Sequence, residues 1–350
     1  MRITSSMMMR EYTQTLDDKM SDIDKYSNQV SSSLKFQRAS DDPIDAMESM
    51  QGCHQYVENQ QYTTSNSSAT SWMQATESTT DQINSILQSA QEKATEATNG
   101  INNTSDLQNI GTAMESYRDE LVTTLNSTFG GRYIFGMSTS GQPPFKLGTA
   151  ADDGAANDGK LMYYDYNATD ASGNPAPAYV SVDSITQSTV QGMKLSQPID
   201  MNMGLKITSS GQVNSGSVFQ AATSGLDVII SSFNGSSGTA VNIVDQLSSA
   251  ISDLNSGNVA SISGLISNVE DAQSAVLKVN VGIGEKTKML SFIASKLTAD
   301  QSNITGNLAN TMEVDQAQAI SQYNISQTVY KESLSITSTV LQESLIDFLK

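Results

Sequence analysis

The sequence predicts a mainly α fold with a β insertion: long terminal helices, a helical rod or bundle domain, and a small β-rich outer domain. Three observations carry that prediction. Both ends of the chain repeat apolar and small residues in steps of three and four, averaging about 3.5 residues, the period of a helix wound on a partner. From Pro43 to about Phe129 the chain reads as helix without a further proline. Residues 137–216 then gather the remaining prolines, many glycines and several β-type runs.

At the N-terminal end the repeat runs Met9, Thr13, Leu16, Met20, Ile23, Ser27, Val30 and Leu34, with Asp17, Asp18, Lys19, Asp22, Asp24 and Lys25 on a solvated face. At the C-terminal end it runs Gln316, Ile320, Tyr323, Gln327, Tyr330, Leu334, Thr337, Leu341, Leu345 and Phe348. Gln316, Gln327 and Thr337 dilute the second seam, so that helix needs tertiary or quaternary packing to hold it. The shared period predicts that residues 1–42 and 306–350 pair, with everything else inserted between them. Two unrelated amphipathic helices in a globular core are the alternative.

Asp42-Pro43 is a helix-start signature, since Asp42 can cap and Pro43 loses no donor at the first helical position. Asp45 falls in the first turn, where its charge meets the helix dipole favourably. A metal or acid/base role for Asp41, Asp42 and Asp45 is the competing reading. Asn99-Gly100 through Asp106 divides residues 43–136 into one very long helix and a second. Gly130 offers a left-handed cap after Phe129, and Tyr133-Ile134-Phe135 reads as a short strand. In the insertion, Leu161 to Tyr166, Tyr179 to Val182 and Leu205 to Thr208 read as strands. Alternation places Tyr164 and Tyr166 on one strand face and Tyr163 on the other. Helices are expected to resume near Ser217 as a second rod segment, 217–305, with loops at Asn234–Gly238 and Gly257-Asn258.

The balance of 37 acidic against 19 basic residues, formally −18, argues against a nucleic-acid partner, because phosphate binding draws on clustered Lys and Arg. No apolar run approaches the ~20 residues needed to span a bilayer, and the opening residues lack the apolar core of a cleavable secretory signal. One cysteine, Cys53, permits no internal disulfide. Cys53 and His54 are adjacent, about 100° apart on a helix, and so form no nucleophile–base pair; Cys53 reads as a small packing residue. His54 is the single histidine, which removes most triad and zinc geometries. Gly282-x-Gly284 lacks the third glycine and preceding strand of a dinucleotide loop, and the Asp/Asn/Gly clusters near 152–159 and 165–173 miss calcium-loop spacing. No catalysis, cofactor or metal is expected.

Several motifs together resemble the bacterial flagellin-like family. Met1-Arg2-Ile3, a helix, and then Arg38-Ala39-Ser40-Asp41-Asp42-Pro43 are similar to its N-terminal region. Gly131-Arg132-Tyr133-Ile134-Phe135-Gly136 with Pro143-Pro144-Phe145, Val218-Phe219-Gln220-Ala221, Asp315 to Ile320 and Leu345 to Leu349 resemble the hook-associated protein 3 branch, the hook–filament junction proteins. The likeness covers both helical halves and leaves about 146–210 unmatched.

The resemblance implies a secreted structural subunit at the hook–filament junction of the extracellular flagellum, exported unfolded through the type III apparatus with an export chaperone. Its partners would be copies of itself in a ring, hook-associated protein 1 and flagellin, without nucleic acid or membrane insertion. Met9, Leu16, Met20, Ile23, Val30, Leu34, Ile320, Tyr323, Tyr330, Leu334, Leu341, Leu345 and Phe348 would pack on assembly. An atypical filament flagellin is one alternative. An adhesin using Tyr163, Tyr164 and Tyr166 in the β domain is another.

Overall fold

The computed structural model describes residues 5–99, 102–136, 141–151, 153–166, 168, 176–196, 200–202, 218–233, 240–259 and 261–348. The fold is mainly α with small antiparallel sheets. It divides into two compact units, the first Met1–Gln60 with Leu297–Lys350 and the second Gln61–Lys296. Eight α-helices, two short 3-10 helices and nine strands follow in chain order among these residues. Met1-Arg2-Ile3 and Leu205 to Thr208 lie outside them.

In the first unit α1 (Ser5–Ser32) packs along α8 (Gln316–Phe348). The connectors beside them pair as well. The Lys35 N–H donates to Met312 O at 2.7 Å, the Val314 N–H to Ser33 O at 3.1 Å, and Leu34 bridges Glu313 antiparallel. The long helices α2 (Pro43–Ala97) and α7 (Ile262–Met312) each pass through both units. In the first, Asn59 donates to Leu297 O at 2.9 Å and to Gln301 Oε1 at 2.7 Å, and Gly52 lies under Leu308. In the second, Asn280 donates to Asp81 at 3.0 Å, and Gln91 donates to Glu270 at 3.1 Å.

The second unit holds the main apolar core. It is built from α2, α3 (Thr104–Leu125), α6 (Ile243–Asn255) and α7, with Leu87, Met114, Leu121, Val244, Leu247, Leu254, Val269 and Val276 inside. Asn103 caps α3 through a reciprocal capping box with Asp106, which the sequence marks as Asn-x-x-Asp. α3 packs on α6. Gly111 admits the close approach, since a Cβ there would stand 3.1 Å from Asn255 Oδ1.

Helix α3 ends at Leu125, earlier than the sequence reading places it. Thr128–Phe129 (β1) and Arg132–Tyr133 (β2) form a hairpin across Gly130 and Gly131, at φ 58° and 79°. Positive φ at both central residues is the two-residue hairpin turn, so Gly130 turns a hairpin and does not cap a helix.

A three-stranded antiparallel sheet follows, with Phe145–Leu147 (β3), Leu161–Asp165 (β4) and Ala178–Ser181 (β5) in that order. Tyr163 is buried against Phe145, with ring centroids 5.3 Å apart, while Tyr164 meets Tyr166 and Tyr179 on the other face, as strand alternation requires. Burial, with the Asp165 charge added, pushes the Tyr163 hydroxyl up to about 12. Lys146 stands 4.5 Å from the Tyr179 ring centroid and hydrogen-bonds Asp153, holding that carboxyl below its usual range with help from the Thr149 N–H.

Helix α4 (Gln187–Ser196) precedes two further hairpins, Asp200–Asn202 (β6) with Val218–Gln220 (β7), and Ile230–Phe233 (β8) with Ala240–Asn242 (β9). A five-residue helix, α5 (Gly225–Ile229), lies between β7 and β8. The sequence reading resumes helix near Ser217. The β-branched and aromatic residues Val218, Phe219, Ile230 and Phe233 instead go into strands.

Candidate assembly surfaces

The first unit has little apolar interior. Among the described residues, Ala46, Leu297 and Ala319 are the hydrophobic side chains it buries, beside the polar Ser49, Asn59 and Ser326. Several of its larger hydrophobic residues point outward. On α2, Ile44, Met47, Met50 and Val57 are 62–68% exposed, and their spacing sets them along one side of the helix. The opposite side carries Ala46, Ser49, Gly52 and Asn59 into the seam with α7. Asn59 satisfies its amide there on Leu297 and Gln301, and the Ser49 hydroxyl donates to Ala46 O at 2.9 Å. These bonds allow polar groups to be buried without a desolvation penalty left open.

The terminal pair repeats the pattern. Leu16, Ile23, Val30 and Leu34 of the N-terminal run are half-buried, whereas Met20 is 51% exposed. On α8 the inward line passes through Ala319, Tyr323, Ser326 and Tyr330. Ile320 and Leu334 stand outside it, 46% and 44% exposed, with Ile325 and Ile336 also exposed. The seam is centred one position away from the apolar run because small Ala319 and Ser326 let the helix axes come close. The side chains of Met9, Leu341, Leu345 and Phe348 lie outside the described residues.

The run from Arg38 to Pro43 builds the entrance to α2. The Arg38 N–H donates to Asp41 Oδ2 at 3.1 Å and the Asp41 N–H to Arg38 O at 3.0 Å, closing a turn. The Asp45 N–H donates to Asp42 Oδ1 at 3.1 Å, the cap expected, and Pro43 opens the helix. Lys35 pairs with Asp45, whose hydrogen bond draws the ammonium pKa upward. Ser40 donates to Asp41 Oδ1 at 3.4 Å. Asp315 caps α8 in the same manner, accepting from the Ala317 and Gln318 N–H groups at 2.9 and 3.1 Å. The sequence signal for it was an Asp directly before a periodic run.

Arg132 and Tyr133 form β2, while Phe135 and Gly136 are buried. Phe135 meets Gly225, where a Cβ would stand 2.8 Å from Phe135 Cβ and 2.6 Å from the Phe145 ring. Cys53 is exposed, which corrects its reading as a packing residue: the inward position belongs to its neighbour Gly52. His54 faces Glu58 at 3.5 Å on the surface. Among the described residues no group of His, Cys, Asp or Glu is placed to hold a metal ion, and no helix is long and apolar enough to cross a membrane.

Residues 3–139 match the family model described as the bacterial flagellin N-terminal helical region. The chain is 32% identical over 146 residues to flagellar hook-associated protein 3 of Escherichia coli K12, covering 41% of this chain and 46% of that one. It is 31% identical over 155 residues to the Salmonella typhimurium protein of the same name, covering 44% and 49%. The chain therefore matches about half the length of these curated relatives. A solved putative flagellar hook-associated protein from Vibrio parahaemolyticus shares the fold at TM-score 0.55 and 13% identity, over 78% of this chain and 100% of that one.

Proposed function

We propose that this chain, which resembles flagellar hook-associated protein 3 of the bacterial flagellin-like family, is a structural component of the bacterial flagellum, an adaptor at the hook–filament junction. One observation carries the mechanism: among the described residues, the first unit fully buries only small and polar side chains besides Leu297, and exposes several of its large hydrophobic ones. A surface of that kind is completed by neighbouring chains. The exposed residues Met20, Ile320 and Leu334, with Ile44, Met47 and Met50, are the side chains such neighbours would cover. The sparse interior keeps the terminal pair marginal until a template is met, which prevents premature association before export.

Residues 1–42 and 306–350 serve as inner-tube helices, 43–136 and 217–305 as the rod, and 137–216 as the outward β-rich part. The partners are other copies in a ring, hook-associated protein 1 on one side and flagellin on the other, with an export chaperone and the type III apparatus acting beforehand. The location is extracellular. The role is mechanical and requires no catalysis.

The test is copy number. Flagella are sheared from cells and this chain is quantified against the filament subunit by mass spectrometry. A trace amount kept with the hook end is the expected result. Abundance along the whole filament would make the chain a flagellin and overturn the junction assignment.

A further inference from the structure

The second unit carries two grooves of opposite charge. One, about 510 Å³, lies between α7 and the segment around Ala222–Ser231. Lys278, Gly282 and Lys286 line it at steps of four, so they share one face of the helix. Lys278 is exposed and makes no ion pair among the described residues. Lys286 is half-buried deeper in the groove, where its ammonium donates to Ala222 O at 3.2 Å. Burial draws the Lys286 pKa down, while the nearby Asp227 charge opposes that shift.

Gly282 sits between the two lysines in the middle of a long helix. A Cβ there would meet nothing within 4 Å, so no packing contact demands glycine. Its cost to the helix is about 1 kcal/mol relative to Ala. What the missing side chain provides is an open floor between two cations.

The other groove, about 620 Å³, runs between α2 and α3. Glu77, Asp81 and Glu120 line it, all exposed, over a floor that includes Ile86 and Tyr117, and no basic residue takes part. The two grooves share no residue, so one chain can use both at once.

We propose that the Lys278–Gly282–Lys286 groove of one copy receives the acidic α2–α3 face of the next, around Glu77 and Glu120. The contact joins two different surfaces, so it is heterologous and propagates from copy to copy into a closed ring or a helix. Charge complementarity selects the partner: in a chain of net charge −18, two lysines against the one carboxylate of Asp227 leave this groove positive, and a second copy supplies the acidic face. The proposal rests on the reading of the chain as a self-assembling subunit and specifies which surfaces meet.

The test uses two full-length variants made in a Cys53→Ser background, Lys278→Cys and Glu120→Cys, treated with a short bismaleimide. A mixture of the two should give cross-linked dimer, each alone should give little, and added salt should lower the yield. On the same background, introducing Lys278→Glu into an Asp119→Cys/Gly282→Cys reporter chain should cut its cross-linking on the order of tenfold, and Glu120→Lys added beside it should restore the yield. Gly282→Leu, whose Cβ has open space and whose longer side chain occupies the groove, should suppress the Lys278→Cys/Glu120→Cys dimer while leaving the thermal midpoint at or above that of the parent. No dimer in the mixture, or equal dimer from each variant alone, overturns the pairing. Those results leave the junction assignment standing, because copy number in sheared flagella tests it separately.

Discussion

Asn126 ends α3 and its side-chain amide treats Phe145 as a strand partner, donating to the Phe145 carbonyl at 2.7 Å and accepting its N–H at 3.0 Å. Replacing it with Ala removes both bonds from a buried backbone position, and a loss of about 1–3 kcal/mol is expected in urea unfolding. An unchanged midpoint would mean that water replaces the amide at no cost. Asp245 offers a second residue-scale test. It accepts the Leu161 N–H at 2.6 Å and the Asn242 amide at 2.8 Å, and it lies beside Asp183, which is itself paired with Lys160 at 3.3 Å. Burial pushes the Asp245 carboxyl up to about 7; the Asn242 and Leu161 bonds oppose the shift, and Asp183 adds to it. In the unfolded chain the group titrates near its usual value of about 4. Between those values the folded chain holds a proton that the unfolded chain has released. Its contribution to stability is therefore full below about pH 4 and falls as pH rises to about 7, by at most about 1.4 kcal/mol per pH unit. Asp245→Asn should flatten that part of the profile, read as the difference from the parent chain in unfolding midpoints at pH 5 and pH 8. A parallel slope in the variant would assign the proton to another group. Neither residue was legible in the sequence, because each acts on a backbone segment distant along the chain.

At the level of elements, the long helices, the terminal pairing and the strand-rich middle were readable from period and composition. The inward face of α2 was readable only in part. Hydrophobic periodicity finds the buried Trp72, Ile83, Ile86, Leu87, Ala90 and Ala94, but earlier in the helix it points to Met47, Met50 and Val57, and the line that enters the structure there also holds Ala46, Ser49, Asn59, Asn66, Thr76 and Thr80. The threonines can be buried because their hydroxyls bond within the helix, Thr76 to Trp72 O at 2.8 Å and Thr80 to Thr76 O at 2.9 Å. A polar residue that satisfies itself locally carries no apolar signal into a sequence pattern. The same substitution of small for large explains why Ile320 and Leu334 lie beside the seam of α8 and not within it. Leu334→Asp should consequently leave the far-ultraviolet circular dichroism and melting of the purified chain near those of the parent, within about 0.5 kcal/mol, while blocking incorporation into flagella. Normal filament growth with that variant would remove Leu334 from the assembly surface.

For the molecule as a whole, the two units should differ in local stability. The second has a contiguous apolar core, and among the described residues the first has few large buried groups. Hydrogen exchange in the free chain is expected to be faster across residues 10–32 and 316–336 than across 104–125 and 243–255, with the difference shrinking in isolated flagella. Uniform protection in the free chain would contradict the marginal terminal pair. The first unit nevertheless interlocks at Leu308, which fills the space above Gly52, where a Cβ would lie 2.8 Å from its Cδ2. One heptad in either direction would bring Leu308 against Asp45 or Asn59, neither of which leaves that space. Gly52 thus acts as a detent, a notch that, together with the Asn59 amide seated on Leu297 and Gln301, fixes the axial setting of two helices under shear.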